Sequence, residues 1–117
     1  MTCEVCGKAF AEKHHVIYRS QGGLDIKVNF TWLCEEHHRG NSSPHRNRKI
    51  DLVYKRQVQE RLFDMFSEKE TYQIKEIAEI IGYDRNRLEK KFKSVPCRAG
   101  EYAVEDIVRK LCGGKLY

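Results

Sequence analysis

The chain holds only two prolines, Pro44 and Pro96, in 117 residues, with one tryptophan and two methionines. So little proline excludes a proline-rich linker or collagen-like chain. No apolar run approaches the roughly 18 residues that a membrane-spanning helix needs. No basic segment followed by an apolar stretch stands at the start, so no secretory leader is expected. Cytoplasmic residence is therefore the expectation. Five cysteines, an odd number, cannot form a complete disulfide framework. In a reducing compartment they point to metal binding and free thiols.

Charge of neither sign is scarce. Lysine and arginine number 22 against 17 acids, a net charge of +5, and hydrophobic residues make up 40%. That composition suits a globular protein with a modest core, in one domain or two very small ones. It permits a polyanionic partner without requiring one.

The composition changes near residue 50. Residues 1–49 hold all five histidines and three of the five cysteines. Val16, Ile17 and Tyr18 predict a strand over His14 to Ser20, ended by Gly22-Gly23. Phe30 to Leu33 predicts the returning strand, and Cys34 to Arg39 a short helix stopped at Gly40. Gly40-Asn41-Ser42-Ser43-Pro44 marks a break. Beyond it, apolar residues recur at helical spacing, giving helices over about 52–66, 71–81, 84–93 and 102–111. Asp84 suits the N-cap of the third. Gly113-Gly114 ends the last. No internal repeat is evident.

Cys3 and Cys6 form a C-x-x-C, and Cys34 and His37 a C-x-x-H, with 27 residues between the pairs. Two tight turns, each aiming two ligands at one ion, are the signature of a tetrahedral zinc site. Some 49 residues bury too little apolar surface to stand alone, so a structural metal has a physical purpose. Cys97 and Cys112 lack nearby partners and are expected to be buried free thiols.

The remaining histidines suggest chemistry. Hydrolysis of a phosphodiester needs a base to deprotonate water and a cation to stabilise the departing oxygen. His15 is a candidate base, since histidine exchanges protons near neutral pH. His14 and His38 are candidate ligands for the cation. Adjacent side chains in a strand face opposite ways, so a bent strand end is needed for His14 and His15 to share a site. Arg19, four residues beyond His15, is a candidate bidentate contact to a phosphate.

The series His14-His15-Val16-Ile17-x-Arg19-Ser20-x-Gly22-Gly23, Asn29 and Leu33-Cys34-x-x-His37-His38 resembles the HNH nuclease family. The resemblance covers residues 1 to about 49. It implies a strand–strand–helix unit wrapped round a metal, with His15 activating water and His14 and His38 as metal ligands. It implies that Asn29 fixes the loop through hydrogen bonds, and that His45 is a candidate third ligand. The family more commonly has Cys-x-x-Cys-His where this chain has Cys34-x-x-His37-His38, which leaves open an exchange of roles between the two histidines. The implied products carry 5′-phosphate and 3′-hydroxyl ends. Zinc is the expected structural ion, and Mg or Mn the expected catalytic one.

From Ile74 onward the pattern has the look of a helix-turn-helix spanning about residues 74–93. Ala78 is small where helices cross, and Gly82 suits the turn. The second helix carries Arg85, Asn86, Arg87, Lys90, Lys91 and Lys93. Long cations there would reach DNA phosphates, with Asn86 and Arg87 near base edges. The expected architecture is α+β: a zinc-stapled ββα-metal unit over residues 1–49, then an all-helical segment over residues 50–117. The expected activity is that of a metal-dependent DNA endonuclease or nickase, monomeric or homodimeric, without membrane contact. Small two-part nucleases of this kind are similar to phage-encoded and mobile-element enzymes. The alternative is a zinc-stapled DNA-binding regulator without the chemistry.

Overall fold

The computed structural model describes residues 1–117 and is α+β, with five α-helices and two short antiparallel ladders. Strand β1 (Glu12–His15) pairs with β2 (Phe30–Leu33), with Glu12 opposite Leu33 and His15 opposite Phe30. Helix α1 (Glu35–Arg39) follows directly and packs on both strands. Side chains alternate across the hairpin. His14, Thr31 and Leu33 are buried on one face. Lys13, His15, Phe30 and Trp32 share the other, where the Lys13 ammonium lies 4.4 Å from the Phe30 ring centroid.

β1 is shorter than the strand expected over His14 to Ser20. The reason lies in Asn29, whose side chain takes over the pairing of Ile17. It accepts from the Ile17 amide at 2.7 Å and donates to the Ile17 carbonyl at 3.0 Å. The backbone then turns through a 3-10 helix at Arg19–Gln21. The Val16 amide still donates to the Asn29 carbonyl at 2.9 Å, but the Val16 and Ile17 side chains enter the main core.

Helix α2 (Arg48–Met65) starts earlier than the periodicity predicted, because Asn47 caps the Lys49 and Ile50 amides. The change of composition near residue 49 thus falls within its first turn. Then come β3 (Thr71–Gln73), α3 (Ile74–Ile81), α4 (Arg85–Lys91), β4 (Glu101–Ala103) and α5 (Val104–Leu111). Asp84 caps α4 by accepting from the Arg87 amide at 2.9 Å, as expected. The region expected to be all helical carries a ladder as well. Tyr72 and Tyr102 favour extended backbone, and each packs edge-on against a phenylalanine, Phe66 and Phe92 respectively.

A repeat is present after all. Thr71-Tyr72-Gln73-Ile74 and Glu101-Tyr102-Ala103-Val104 each lead a strand into an eight-residue helix. Tyr72 pairs with Tyr102, Thr71 with Ala103 and Gln73 with Glu101, so a local two-fold axis passes between the tyrosines. Ile77, Ala78 and Ile81 in α3 match Ile107, Val108 and Leu111 in α5, and all six are buried. The two copies share a burial pattern more than residue identities, which hides the repeat from sequence.

One core of 17 buried residues joins the two halves. Val16, Ile17, Leu24 and Ile26 come from the first half. The rest come from α2 and its end (Val58, Leu62, Phe66), from Tyr72, from Leu88 and Phe92 of α4 and its end, and from α3, α5 and Cys112. Glycines allow the close approach behind this. A Cβ on Gly113, whose φ is +86°, would meet the Gln21 carbonyl oxygen at 2.3 Å. The loop after β1 and the end of α5 therefore touch backbone to backbone. No helix is long and apolar enough to cross a membrane.

Candidate metal centres and catalytic residues

Two separate clusters of metal-ligating atoms lie in the first 45 residues. Cys3 and Cys6 sit on the N-terminal turn; Cys34 and His37 come from the start of α1. The Cys6 and Cys34 sulfurs are 3.8 Å apart. His37 Nδ1 is 3.2 Å from the Cys34 sulfur and 3.6 Å from that of Cys3. Zinc bonds to sulfur and nitrogen predict tetrahedral edges of about 3.8 Å between sulfurs and about 3.6 Å from sulfur to nitrogen. The four residues fit a zinc ion. The sulfurs are far beyond disulfide length. Burial opposes ionisation of Cys3, but backbone hydrogen bonds from Cys34, Cys6 and Val5 bring its pKa down to about 6. That favours the thiolate which zinc requires.

The second cluster is His14 from β1, His38 from α1 and His45 from the loop before α2. The Nε2 atoms of His38 and His45 are 3.1 Å apart. Ligands sharing one ion through bonds of 2.0–2.1 Å lie about 3.0–3.4 Å from one another. His14 is 1% exposed, and its Nε2 is buried with no hydrogen-bond partner. A buried imidazole nitrogen without a partner is costly, and a cation among these rings would satisfy it. Burial, with the neighbouring His45 and His38, pulls the pKa of His14 down to about 4. The ring is thus neutral and able to ligate at physiological pH. Burial likewise lowers the pKa of His45.

His37 and His38 belong to different clusters. Glu12 secures the separation. Its carboxylate lies 2.8 Å from His38 Nδ1, and that hydrogen bond is the leading cause of its lowered pKa. An ionised carboxylate only accepts, so Nδ1 carries the proton and Nε2 presents its lone pair to the cluster. A second support stands behind His45. Tyr18 stacks on its ring at 5.5 Å and donates to Asp51 at 2.9 Å. Lys55, only 3% exposed, donates to the same Asp51 at 2.8 Å. Glu12, Asp51 and Lys55 were not singled out in sequence. Spacing gave a hint: Glu12 shares a strand face with His14, and Asp51 and Lys55 are one helical turn apart.

His15 ends β1 on the opposite face from His14, packed against Phe30 at 4.8 Å. It makes no direct contact with the three-histidine cluster; the two positions meet through adjacent backbone at the strand end. Its Nε2 is 2.6 Å from Asp25, which also takes Arg19 Nη2 at 3.0 Å. Arg19 therefore sits in a turn against Asp25, not on the strand face expected of it. Asn29 is 2% exposed and adds a third hydrogen bond, to the Leu24 carbonyl at 3.0 Å. It ties the β1 exit to the following loop. Arg85, Asn86, Arg87, Lys90, Lys91 and Lys93 are all solvent-exposed on and just after α4. Cys112 is buried as expected, whereas Cys97 is exposed, in irregular backbone between Pro96 and Arg98.

The family model for HNH endonuclease matches residues 3–43. The matched segment carries both clusters up to His38, the hairpin and α1, and agrees with the resemblance read from the motif. The match makes this segment similar to the HNH endonuclease family. No curated protein and no solved structure matches the chain.

Proposed function

We propose that the protein is a metal-dependent DNA endonuclease or nickase that uses His15 as general base. The observation that carries this reading is the orphaned, buried Nε2 of His14, aimed into a cluster with His38 and His45 one residue from His15. Zinc on Cys3, Cys6, Cys34 and His37 staples the turn to α1. His14, His38 and His45 hold the second cation, Mg or Mn by expectation. When bound there, it supplies electrostatic stabilisation of the charge that develops on the leaving oxygen.

His15 takes a proton from water. The water oxygen attacks phosphorus in line, the bond to the 3′ oxygen breaks, and that oxygen leaves to acquire a proton. Asn29 holds the strand exit so that His15 keeps its place. Arg19 meets a phosphate oxygen with the nitrogens that Asp25 does not engage. The work divides at about residue 49. Residues 1–49 cut; residues 50–117 anchor, with α3 and α4 as the helix-turn-helix. In that anchor five cations between Arg85 and Lys93 face one acid, Glu89. The free thiols suit a reducing, cytoplasmic setting.

Supercoiled plasmid incubated with Mg or Mn tests the reading. Wild-type protein is expected to nick or linearise it, and His15→Ala with equal zinc content is expected to lose at least about a hundredfold in rate. DNA binding without cleavage under any cation would favour the regulator instead.

A further inference from the structure

We propose that Asp25 is a positioning residue that fixes the tautomer and orientation of His15. This rests on the reading of His15 as the general base. The Asp25 carboxylate, 2.6 Å from His15 Nε2, can only accept when ionised, so Nε2 must donate. In the neutral ring Nδ1 is then left with the lone pair. Nδ1 is the nitrogen that would take the proton from water, while the Nε2–H bond to Asp25 steadies the imidazolium that results. Glu12 imposes the opposite tautomer on His38. One histidine is thereby set to ligate through Nε2 and the other to act as a base through Nδ1.

The surroundings hold Asp25 in place. Leu24 and Ile26 on either side are anchored in the main core. The Leu24 carbonyl accepts from the Asn29 side chain, and Asn29 also clamps Ile17, two residues from His15. Arg19 Nη2 reaches both Asp25 oxygens, at 3.0 and 3.2 Å. Hydrogen bonds from His15 and then Arg19 hold the Asp25 carboxyl below its ordinary pKa. The Asp25 side chain is 58% exposed, and ion pairs so open to water add little to stability. Its contribution is to geometry, so removing it should leave the fold intact.

The experiment compares full-length wild type, Asp25→Ala and Asp25→Asn at equal zinc content. Two quantities are read: steady-state plasmid cleavage, and the ring-nitrogen NMR shifts of His15 at mildly alkaline pH. Wild type is expected to show the Nε2-protonated tautomer. Asp25→Ala should show a tautomer mixture and a kcat lower by about tenfold or more, with KM little changed. Asp25→Asn, which keeps an acceptor without the charge, should fall between. An unchanged tautomer in Asp25→Ala overturns the proposal, as does turnover equal to or above wild type while His15→Ala is inactive. Wild-type protein that binds DNA but cuts no plasmid under any cation refutes the nuclease reading and, with it, the catalytic purpose of the pairing. The NMR signature still reports whether the pairing exists.

Discussion

The two ends of the chain are held together by different physics. Around the Cys3–His37 cluster, the local apolar core is Cys3, Leu33 and Cys34, two of them cysteines. Around the β3–α3 and β4–α5 repeat, the core is Ile, Val, Leu and Phe packed to near-zero exposure. The first region brings four potential metal ligands together where the second brings buried apolar area. Surface-to-volume scaling explains the contrast: a turn, a hairpin and a five-residue helix enclose too little apolar surface to hold themselves. A small unit that keeps His14 and His38 inside has little room left for a core of its own.

The largest effect expected from breaking this contrast follows zinc removal. Cys34→Ala, or strong chelation, should abolish amide-exchange protection over residues 1–43 while α2 to α5 stay protected. Structural zinc sites supply on the order of 10 kcal/mol to comparable small folds. Loss of protection throughout the chain would show that the two regions are one cooperative unit, joined by Val16, Ile17 and the Gly113 contact.

A smaller effect should come from the other side. Ile107→Ala removes a fully buried side chain from α5 and should cost about 2–5 kcal/mol of unfolding free energy. Denaturant melts check this. Zinc affinity, measured by competition with a chromogenic chelator, should stay within about threefold of wild type if the contrast is real.

Much of the first region was legible in sequence because metal ligation is a matter of residue type and spacing. Cys3, Cys6, Cys34 and His37 fall together, as do His14, His38 and His45. The supports around them were not legible. Asp25, Glu12 and Asp51 are single acids among 17, and only the turn at Arg19–Gln21 brings Asp25 back to His15. The second region reversed the pattern. Its helices followed from periodicity, but the β3–β4 ladder is three residues a side and falls below any alternation signal. The repeat was hidden for a different reason: its copies share buried positions rather than residue identities.

The smallest effect is confined to alkaline pH. Burial raises the Cys112 thiol from 9.0 to about 12. Below 9.0 the thiol is neutral in folded and unfolded chains alike and contributes no slope. Between 9.0 and about 12 the unfolded chain has lost the proton and the folded chain has kept it, so stability falls as pH rises. Urea midpoints across that window should drop more steeply for wild type than for Cys112→Ala. Parallel slopes would mean that water reaches the thiol. In protein loaded with zinc, a thiol reagent should label the exposed Cys97 and spare Cys112.

The most direct measurement follows metal content and cleavage together in one preparation. After dialysis against a mild chelator, the protein should keep one zinc per chain and cut no plasmid, and Mg or Mn should restore cutting without displacing the zinc. His14→Ala treated the same way should keep its zinc and fail to regain activity. That outcome would separate a stapling ion from a working ion. Zinc and cleavage lost and regained in step, or full activity in His14→Ala, would contradict the division of the two clusters.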